Sequence, residues 1–238
     1  MRVADPAFAL HLPDGFLSGE VAALAAVPAL AAVAYALRVA NRDLDEERVP
    51  LLGVLAAFVF AVQMLNFPIV GGTSGHLLGA TLAAVLLGPW LACVVMTVVI
   101  GVQAFVFADG GLSALGANVL NMGVLGALLA GFLVALGVRA LPPTRSVFLG
   151  VVGGVAWLAV MAGAAATSVQ LAASGTVGLD VALPSMLGVH ALIGIGEAVI
   201  TVAAVSAVLA SRPDLVAMAP RTLRVHGLAL PAREKVRA

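Results

Sequence analysis

Two apolar runs, Leu51 to Leu65 and Leu77 to Leu87, flank the Gly-rich stretch Asn66-Phe-Pro-Ile-Val-Gly-Gly-Thr-Ser-Gly-His76. Each run falls short of the about 20 apolar residues that a helix needs to cross a bilayer at about 1.5 Å rise per residue. The loop between them is therefore expected to dip into the membrane. Irregular backbone at that depth must have its N–H and C=O groups satisfied by protein or by a water-lined cavity, so such a loop lines a site. His76 falls inside it.

Composition agrees. Of 238 residues, 62% are hydrophobic and 10% charged, against a charged fraction of about 25% in soluble domains. The apolar runs are continuous, rich in Ala, Leu, Val and Gly, and longer than the alternating segments of a membrane barrel. The expected fold class is an all-α polytopic membrane protein. Residues 1–9 are too short and too polar for a signal-peptide core. Spans are expected over residues 19–38, with Ser18 and Glu20 at the first turn, over 50–66 with Pro50 opening the helix, over 77–88, 90–107, 112–138, 147–173 and 184–210. That makes about seven transmembrane helices. The stretch Arg38 to Arg48 reads as a solvated loop and Asp109-Gly-Gly as a turn. There is no internal repeat and no second domain: residues 1–18 form an N-terminal segment, 19–210 a single transmembrane domain and 211–238 a polar tail.

Seven spans place the two termini on opposite sides. Of the 12 Lys and Arg residues, all but Arg2 fall on one side, which the positive-inside rule assigns to the cytoplasm. The N-terminus is then outside and the C-terminus cytoplasmic, as in a multi-pass protein of a bacterial plasma membrane. On this topology Gln63, Asn66, Gln103, Asn118, Asn121, Gln170 and His190 all lie toward the outer ends of their spans. A shared depth argues for a polar site open to the outside. Interhelical hydrogen bonding, at about 0.6 kcal/mol each, is the plainer account. The single Cys93 excludes an intrachain disulfide.

Among individual residues, His76 stands out as an imidazole in an uncharged loop at membrane depth. His190 and Glu197, seven residues apart, share a helix face at about 10 Å; Glu197 must be neutral, paired or facing water, whether it holds His190 or an asparagine or caps a structural polar network. Asp109 is explained by turn formation alone. Met64, Met96, Met122, Met161 and Met186 suit packing better than a soft-metal path. Gly53, Ala57 and Ala61 recur every four residues and permit close helix approach, either inside the chain or against a partner protein. No Walker loop, His-Glu-x-x-His pair or nucleophile elbow is present, so ATP-driven work would need another subunit.

Five segments together resemble a known family: His11-Leu-Pro-Asp-Gly-Phe-Leu-Ser, the Asn66 to Gly79 stretch, Leu87-Gly-Pro-Trp, Asp109-Gly-Gly-Leu-Ser-Ala-Leu-Gly-Ala-Asn-Val-Leu-Asn-Met-Gly, and His190-Ala-Leu-Ile-Gly-Ile-Gly-Glu-Ala. They are similar to the CbiM/NikM family, the substrate-capturing components of energy-coupling-factor transporters for cobalt and nickel. The resemblance, from about residue 10 to 210, implies seven transmembrane helices, and a transition metal, Co²⁺ or Ni²⁺, bound near the outer face as transported substrate with no separate cofactor. It also implies partnership with a transmembrane coupling subunit, two ATPase subunits and often a small auxiliary membrane protein. No nucleic-acid partner is expected.

Family chains begin Met-His. The resemblance implies that the free amine, the histidine's own amide nitrogen and its imidazole bind the metal together with the loop histidine, a planar four-nitrogen set suited to Ni²⁺ or a similar tetragonal ion. The matching positions here are Leu10, as backbone amine or amide, His11 and His76, which makes 1–18 a metal-capping segment. Asn118, Asn121, His190 and Glu197 take supporting or packing roles. Residues 1–9 precede the matching start, and a leucine codon serving as start site, or cleavage, would expose Leu10. Retention of the extension would remove the amine and weaken binding. Two rival readings stay beside this one: a self-sufficient metal channel or permease, and an intramembrane hydrolase with a His76/His190/Glu197 metal centre. Both cobalt and nickel accept nitrogen ligands, so the sequence does not choose between them.

Overall fold

The computed structural model describes residues 11–44, 48–65, 67–69 and 73–225, and a few of these, chiefly in the hairpin at 67–74, by backbone alone. The expectations for residues 1–10, Leu10 among them, and for the tail beyond 225 lie outside the described residues. The chain is helical: α1 spans Gly19–Asp43, α2 Val49–Gln63, α3 Ala80–Leu87, α4 Pro89–Phe107, α5 Leu115–Ala140, α6 Arg145–Ala173 and α7 Leu179–Ser211. A 3₁₀ turn, Pro213–Leu215, and the short α8, Arg221–Val225, follow. The middle of α5, Val119–Leu129, is wound as a π-helix.

Local chemistry sets most of these boundaries. Ser18 caps α1 by accepting from the Val21 N–H at 3.3 Å, Pro50 and Pro89 sit in the first turns of α2 and α4, and Thr144 caps α6 through the Val147 N–H. Such side-chain acceptors satisfy N–H groups that a helix start leaves orphaned, and proline there sacrifices no helix bond.

Two boundaries differ from expectation. The stretch from Arg38 to Asp43 is not loop but the last turns of α1. Its Arg, Ala and Val residues carry no helix breaker, and a helix leaving the bilayer loses nothing by exposing charge. Likewise α7 starts at Leu179, with Pro184 inside its second turn. That proline removes a bond only to Asp180, close enough to the helix end for solvent to compensate.

Among the described residues, five helices (α1, α4, α5, α6 and α7) are long and apolar enough to cross a membrane. The second and third expected spans are helices of 15 and 8 residues, about 22 and 12 Å long, short of a hydrocarbon core of about 30 Å. The 8 residues of α3 are all buried. This helix is the centre of the bundle, packed by α2, α4, α5, α6 and α7. Around it the long helices close up on small residues. A Cβ on Gly116 of α5 would lie 2.5 Å from the Ala26 methyl of α1, and one on Gly131 would lie 2.6 Å from Pro89 Cβ. Where lipid tails supply no hydrophobic drive between helices, such close approach supplies the packing. Leu24, Val27, Leu30, Phe105 and Leu192 point outward, 68–74% exposed, as lipid-facing side chains do.

Between α2 and α3 the Gly-rich loop folds into a minimal hairpin, β1 (Phe67–Ile69) antiparallel to β2 (Thr73–Gly75), with Phe67 opposite Gly75 and Ile69 opposite Thr73. Self-pairing satisfies part of the loop's backbone, the condition that irregular structure must meet at membrane depth.

Candidate metal centre

The hairpin delivers His76 to a point where the chain's N-terminal segment also arrives. The imidazoles of His11 and His76 stack, with ring centroids 4.6 Å apart and planes inclined at 22°. Both are buried, at 3% and 0% exposure. Sequence reasoning expected both residues at one site, and the chain between positions 11 and 76 folds so that they meet.

The His76 ring is fixed from behind. The Nδ1 of His76 lies 2.9 Å from the Leu77 carbonyl. A carbonyl only accepts, so Nδ1–H must be the donor and Nε2 carries the bare lone pair. That Nε2 is buried and has no partner among the described residues, and the same holds for Nε2 of His11. A third imidazole repeats the arrangement: His190 of α7 donates Nδ1–H to the Met186 carbonyl at 2.8 Å, leaving its own Nε2 without a partner. Buried nitrogen lone pairs left unpaired cost about 1–3 kcal/mol each, so a ligand that accepts them recovers that cost.

Burial pulls the imidazolium pKa of His11 down to about 4, opposed by the neighbouring Gln103 amide. Burial first, and then the His11 ring beside it, lowers His76 to about 3, against the Leu77 carbonyl and Asp109. Both rings are therefore neutral at physiological pH, the form that ligates a metal without first releasing a proton.

Asp109 is the residue that sequence reasoning missed. It was assigned to a turn alone, and it does sit in one, but its Oδ1 lies 3.7 Å from Nδ1 of His11. Burial raises its pKa, opposed by the charge interaction with His76. The turn is built to aim it there. Ala108 takes a left-handed conformation, φ +52, which ends α4 and returns the Asp109 N–H to the Gln103 carbonyl at 3.0 Å. Asp109 brings a carboxylate beside the histidine pair, and a negative charge there favours a cation.

The N-terminal segment is held down residue by residue. Leu12 exchanges two hydrogen bonds with Asn118 of α5, and the Gly111 N–H donates to the Leu12 carbonyl at 2.8 Å. The Asp14 Oδ1 accepts from the N–H and hydroxyl of Ser113 at 2.7 and 2.6 Å. Gly111 has no substitute here, since a Cβ would stand 2.2 Å from the Asp14 nitrogen. Asn118 thus orders the residue next to His11.

Glu197 acts on the other histidine. Its two oxygens accept the N–H groups of Leu78 and Gly79 at 2.8 and 2.7 Å, while Gln63 of α2 donates to the Leu78 carbonyl at 2.8 Å. Gly79 is the N-cap of α3, in the left-handed region at φ +70, so a carboxylate from α7 supplies the cap that the loop cannot. The segment after His76 is gripped from two helices. Asn121 stands apart from this cluster: it pairs with Gln170 by reciprocal amide bonds of 2.8 Å and with Thr167 at 3.1 Å, joining α5 to α6. The expected stripe of Gly53, Ala57 and Ala61 faces outward, all three exposed, so it does not serve packing within the chain.

No three His, Cys, Asp or Glu side chains among the described residues gather into a metal-binding group. Among the described residues the side chains that gather here are the stacked histidine pair and its carboxylate neighbour.

Comparison with known proteins gives one answer. The family model described as the cobalt uptake substrate-specific transmembrane region, CbiM, matches residues 11–215. A cobalt transport protein CbiM of Sorangium cellulosum is 34% identical over 217 residues, 87% of this chain and 94% of that one. A fused nickel transport protein NikMN of Rhodobacter capsulatus is 37% identical over 226 residues, 89% of this chain but 65% of that longer one. The crystal structure of a truncated transition metal transporter superposes with a TM-score of 0.76 at 34% identity, covering 84% of this chain and 98% of that chain. The chain is a multi-pass membrane protein that belongs to the CbiM family of cobalt and nickel transport proteins.

Proposed function

We propose that this chain is the substrate-capture subunit of an ATP-driven Co²⁺ or Ni²⁺ uptake transporter, binding the ion on the extracytoplasmic side through nitrogen donors. The ligands are the imidazoles of His11 and His76 with backbone nitrogen of Leu10 and His11, as the family resemblance implies. The observation that carries the reading is the buried His11–His76 pair, whose Nε2 atoms have no partner among the described residues. Neutral imidazole and backbone nitrogen suit both ions. Asn118, Glu197 and Gln63 position the two histidines, and Asp109 offsets the charge of the cargo. The ion is substrate, not a resident cofactor.

The chain has no nucleotide-binding loop, so hydrolysis falls to two partner ATPase subunits, coupled through a transmembrane subunit and, in some assemblies, a small auxiliary membrane protein. The outward face of Gly53, Ala57 and Ala61 on α2 is the surface that receives the coupling subunit. Equilibrium binding of Ni²⁺ and Co²⁺ to purified protein, starting at residue 1 or at residue 10, tests the reading. High affinity lost in both His11→Ala and His76→Ala, and greatest for the chain starting at Leu10, is expected. Unchanged binding in either histidine variant overturns the ligand set, and uptake in cells lacking every ATPase partner would make the protein a self-sufficient permease.

A further inference from the structure

The arginine-rich end of the bundle carries a second site that the metal chemistry does not use. There α3 stops at Leu87, Gly88 turns the chain with φ +87, and α4 starts at Pro89. The chain returns to the same place after α7. The N–H groups of Ala217 and Met218 donate to the carbonyls of Leu86 and Val85 at 3.3 and 3.1 Å, satisfying two of the orphan acceptors at the end of α3. Between this returning segment, the Gly88–Pro89 turn and the last turns of α5 lies an open cavity of about 580 Å³.

Three arginines, Arg139, Arg221 and Arg224, line that cavity, and among the described residues no aspartate or glutamate does. None of the three side chains makes a hydrogen bond or ion pair among the described residues, although the Arg224 N–H donates to the Pro220 carbonyl. The carboxylate available in the same segment, Asp214, is already held by Arg212 at 2.7 Å. Like charges gathered in a concavity without a counter-ion repel one another, and a bound anion removes that repulsion. The remaining walls are apolar: Pro89, Val138 and Met218 among them. Guanidinium forks match phosphate oxygens two at a time. Basic pockets among helices at the cytoplasmic boundary suit anionic headgroups, and the positive-inside rule puts this end at that boundary.

We propose that this cavity binds a phosphate group, with the headgroup of an anionic phospholipid as its source. Bound there, the phosphate would tie the returning segment to α5 and brace the end of α3 opposite to the one that follows the His76 segment.

Native mass spectrometry of the full chain tests this, with detergent-released protein re-equilibrated in phosphatidylglycerol, in phosphatidylcholine, and in either with added inorganic phosphate. Wild type should keep phosphatidylglycerol in preference to phosphatidylcholine, and each of R139Q, R221Q and R224Q should weaken that preference about fivefold. The triple variant should lose it while still binding Ni²⁺, which shows that it has folded. Arginine-to-lysine variants should retain part of it. Displacement of the lipid by millimolar inorganic phosphate, or a phosphate adduct without lipid, supports the same chemistry with a soluble source. Equal retention of both lipids by wild type with no phosphate adduct, or unaltered phosphatidylglycerol binding in the triple variant, overturns the proposal. So does loss of only partner-subunit capture in the triple variant, which would make the arginines a protein contact.

Discussion

Asn118 and Leu12 hydrogen-bond each other in both directions: the Leu12 N–H donates to Oδ1 at 2.8 Å, and Nδ2 donates to the Leu12 carbonyl at 3.1 Å. The two residues are 106 positions apart, and the pairing copies the two-way exchange of a β-ladder with one side-chain amide. It fixes the backbone immediately after His11. Asn118→Ala leaves a buried N–H without acceptor, costing about 1–3 kcal/mol. Metal affinity should fall by about 10–100-fold, as for groups that orient a ligand. Asn118→Asp keeps the acceptor but loses the donor and should fall between. Titration calorimetry with Ni²⁺, beside thermal melts of the metal-free protein, checks this; equal affinity in wild type and Asn118→Ala would refute the positioning role.

Glu197 makes the parallel prediction for His76. Removing the carboxylate in Glu197→Ala strands the N–H groups of Leu78 and Gly79, so both stability and metal affinity should drop. Glu197→Gln retains one acceptor and should lose roughly half as much. A variant that melts early yet binds metal normally would show that Glu197 caps α3 without orienting His76.

Gly79 tests the same segment through its backbone. It is left-handed at φ +70, and a Cβ would stand 3.1 Å from the Val59 side chain. Gly79→Ala should therefore cost about 1–2 kcal/mol from conformation alone, before any displacement of Val59. Gly53→Ala on the open face of α2 is the control, with no atom within 4 Å of the new methyl. Comparable melting temperatures for the two variants would contradict the argument.

The histidine pair gives a pH dependence with a definite sign. Burial holds His11 and His76 at about 4 and about 3, below their ordinary value of 6.5. Below 6.5 the unfolded chain takes up protons that the folded chain refuses, so stability is complete above about pH 6.5 and declines as pH falls toward 4 and then 3. For the folded protein, proton competition at the imidazoles stays absent down to about pH 5. With backbone nitrogen among the ligands, Ni²⁺ affinity should still fall between pH 8 and 6, because that nitrogen has to release its proton to bind. His11→Ala should keep that loss only if the backbone donors still bind. Titrations at several pH values read this directly, and a midpoint near 6.5 in affinity would mean that the imidazoles are solvated rather than buried.

The helices were legible in the sequence because their signals are local: apolar runs, the Ser18 cap, the prolines at 50 and 89. The junction of Arg38 to Asp43 misled because charge reads as loop, although a helix leaving the membrane tolerates it. His11 and His76 could be named from motifs, as could Asn118 and Glu197, the residues that hydrogen-bond beside them. The approach of Asp109 to His11 could not be read, because it depends on the left-handed Ala108 that turns it toward a histidine 98 residues earlier. Nor could the sequence divide Asn118 from Asn121. Three residues apart, they face different neighbours, Leu12 for one and the Gln170 amide for the other.

The α2 stripe separates folding from assembly. Gly53, Ala57 and Ala61 are exposed, so Ala57→Leu should change stability by less than about 0.5 kcal/mol. Ni²⁺ binding by the isolated chain should also stay intact, since the stripe is exposed and both histidines are buried. If this face receives the coupling subunit at close helix separation, a leucine there pushes the partner away, and uptake by cells should collapse while capture persists. Co-purification of the coupling subunit with wild type but not with Ala57→Leu would complete the case. Undiminished uptake would move the docking surface elsewhere, with the lipid-facing side of α1, where Leu24, Val27 and Leu30 are exposed, as the next face to probe.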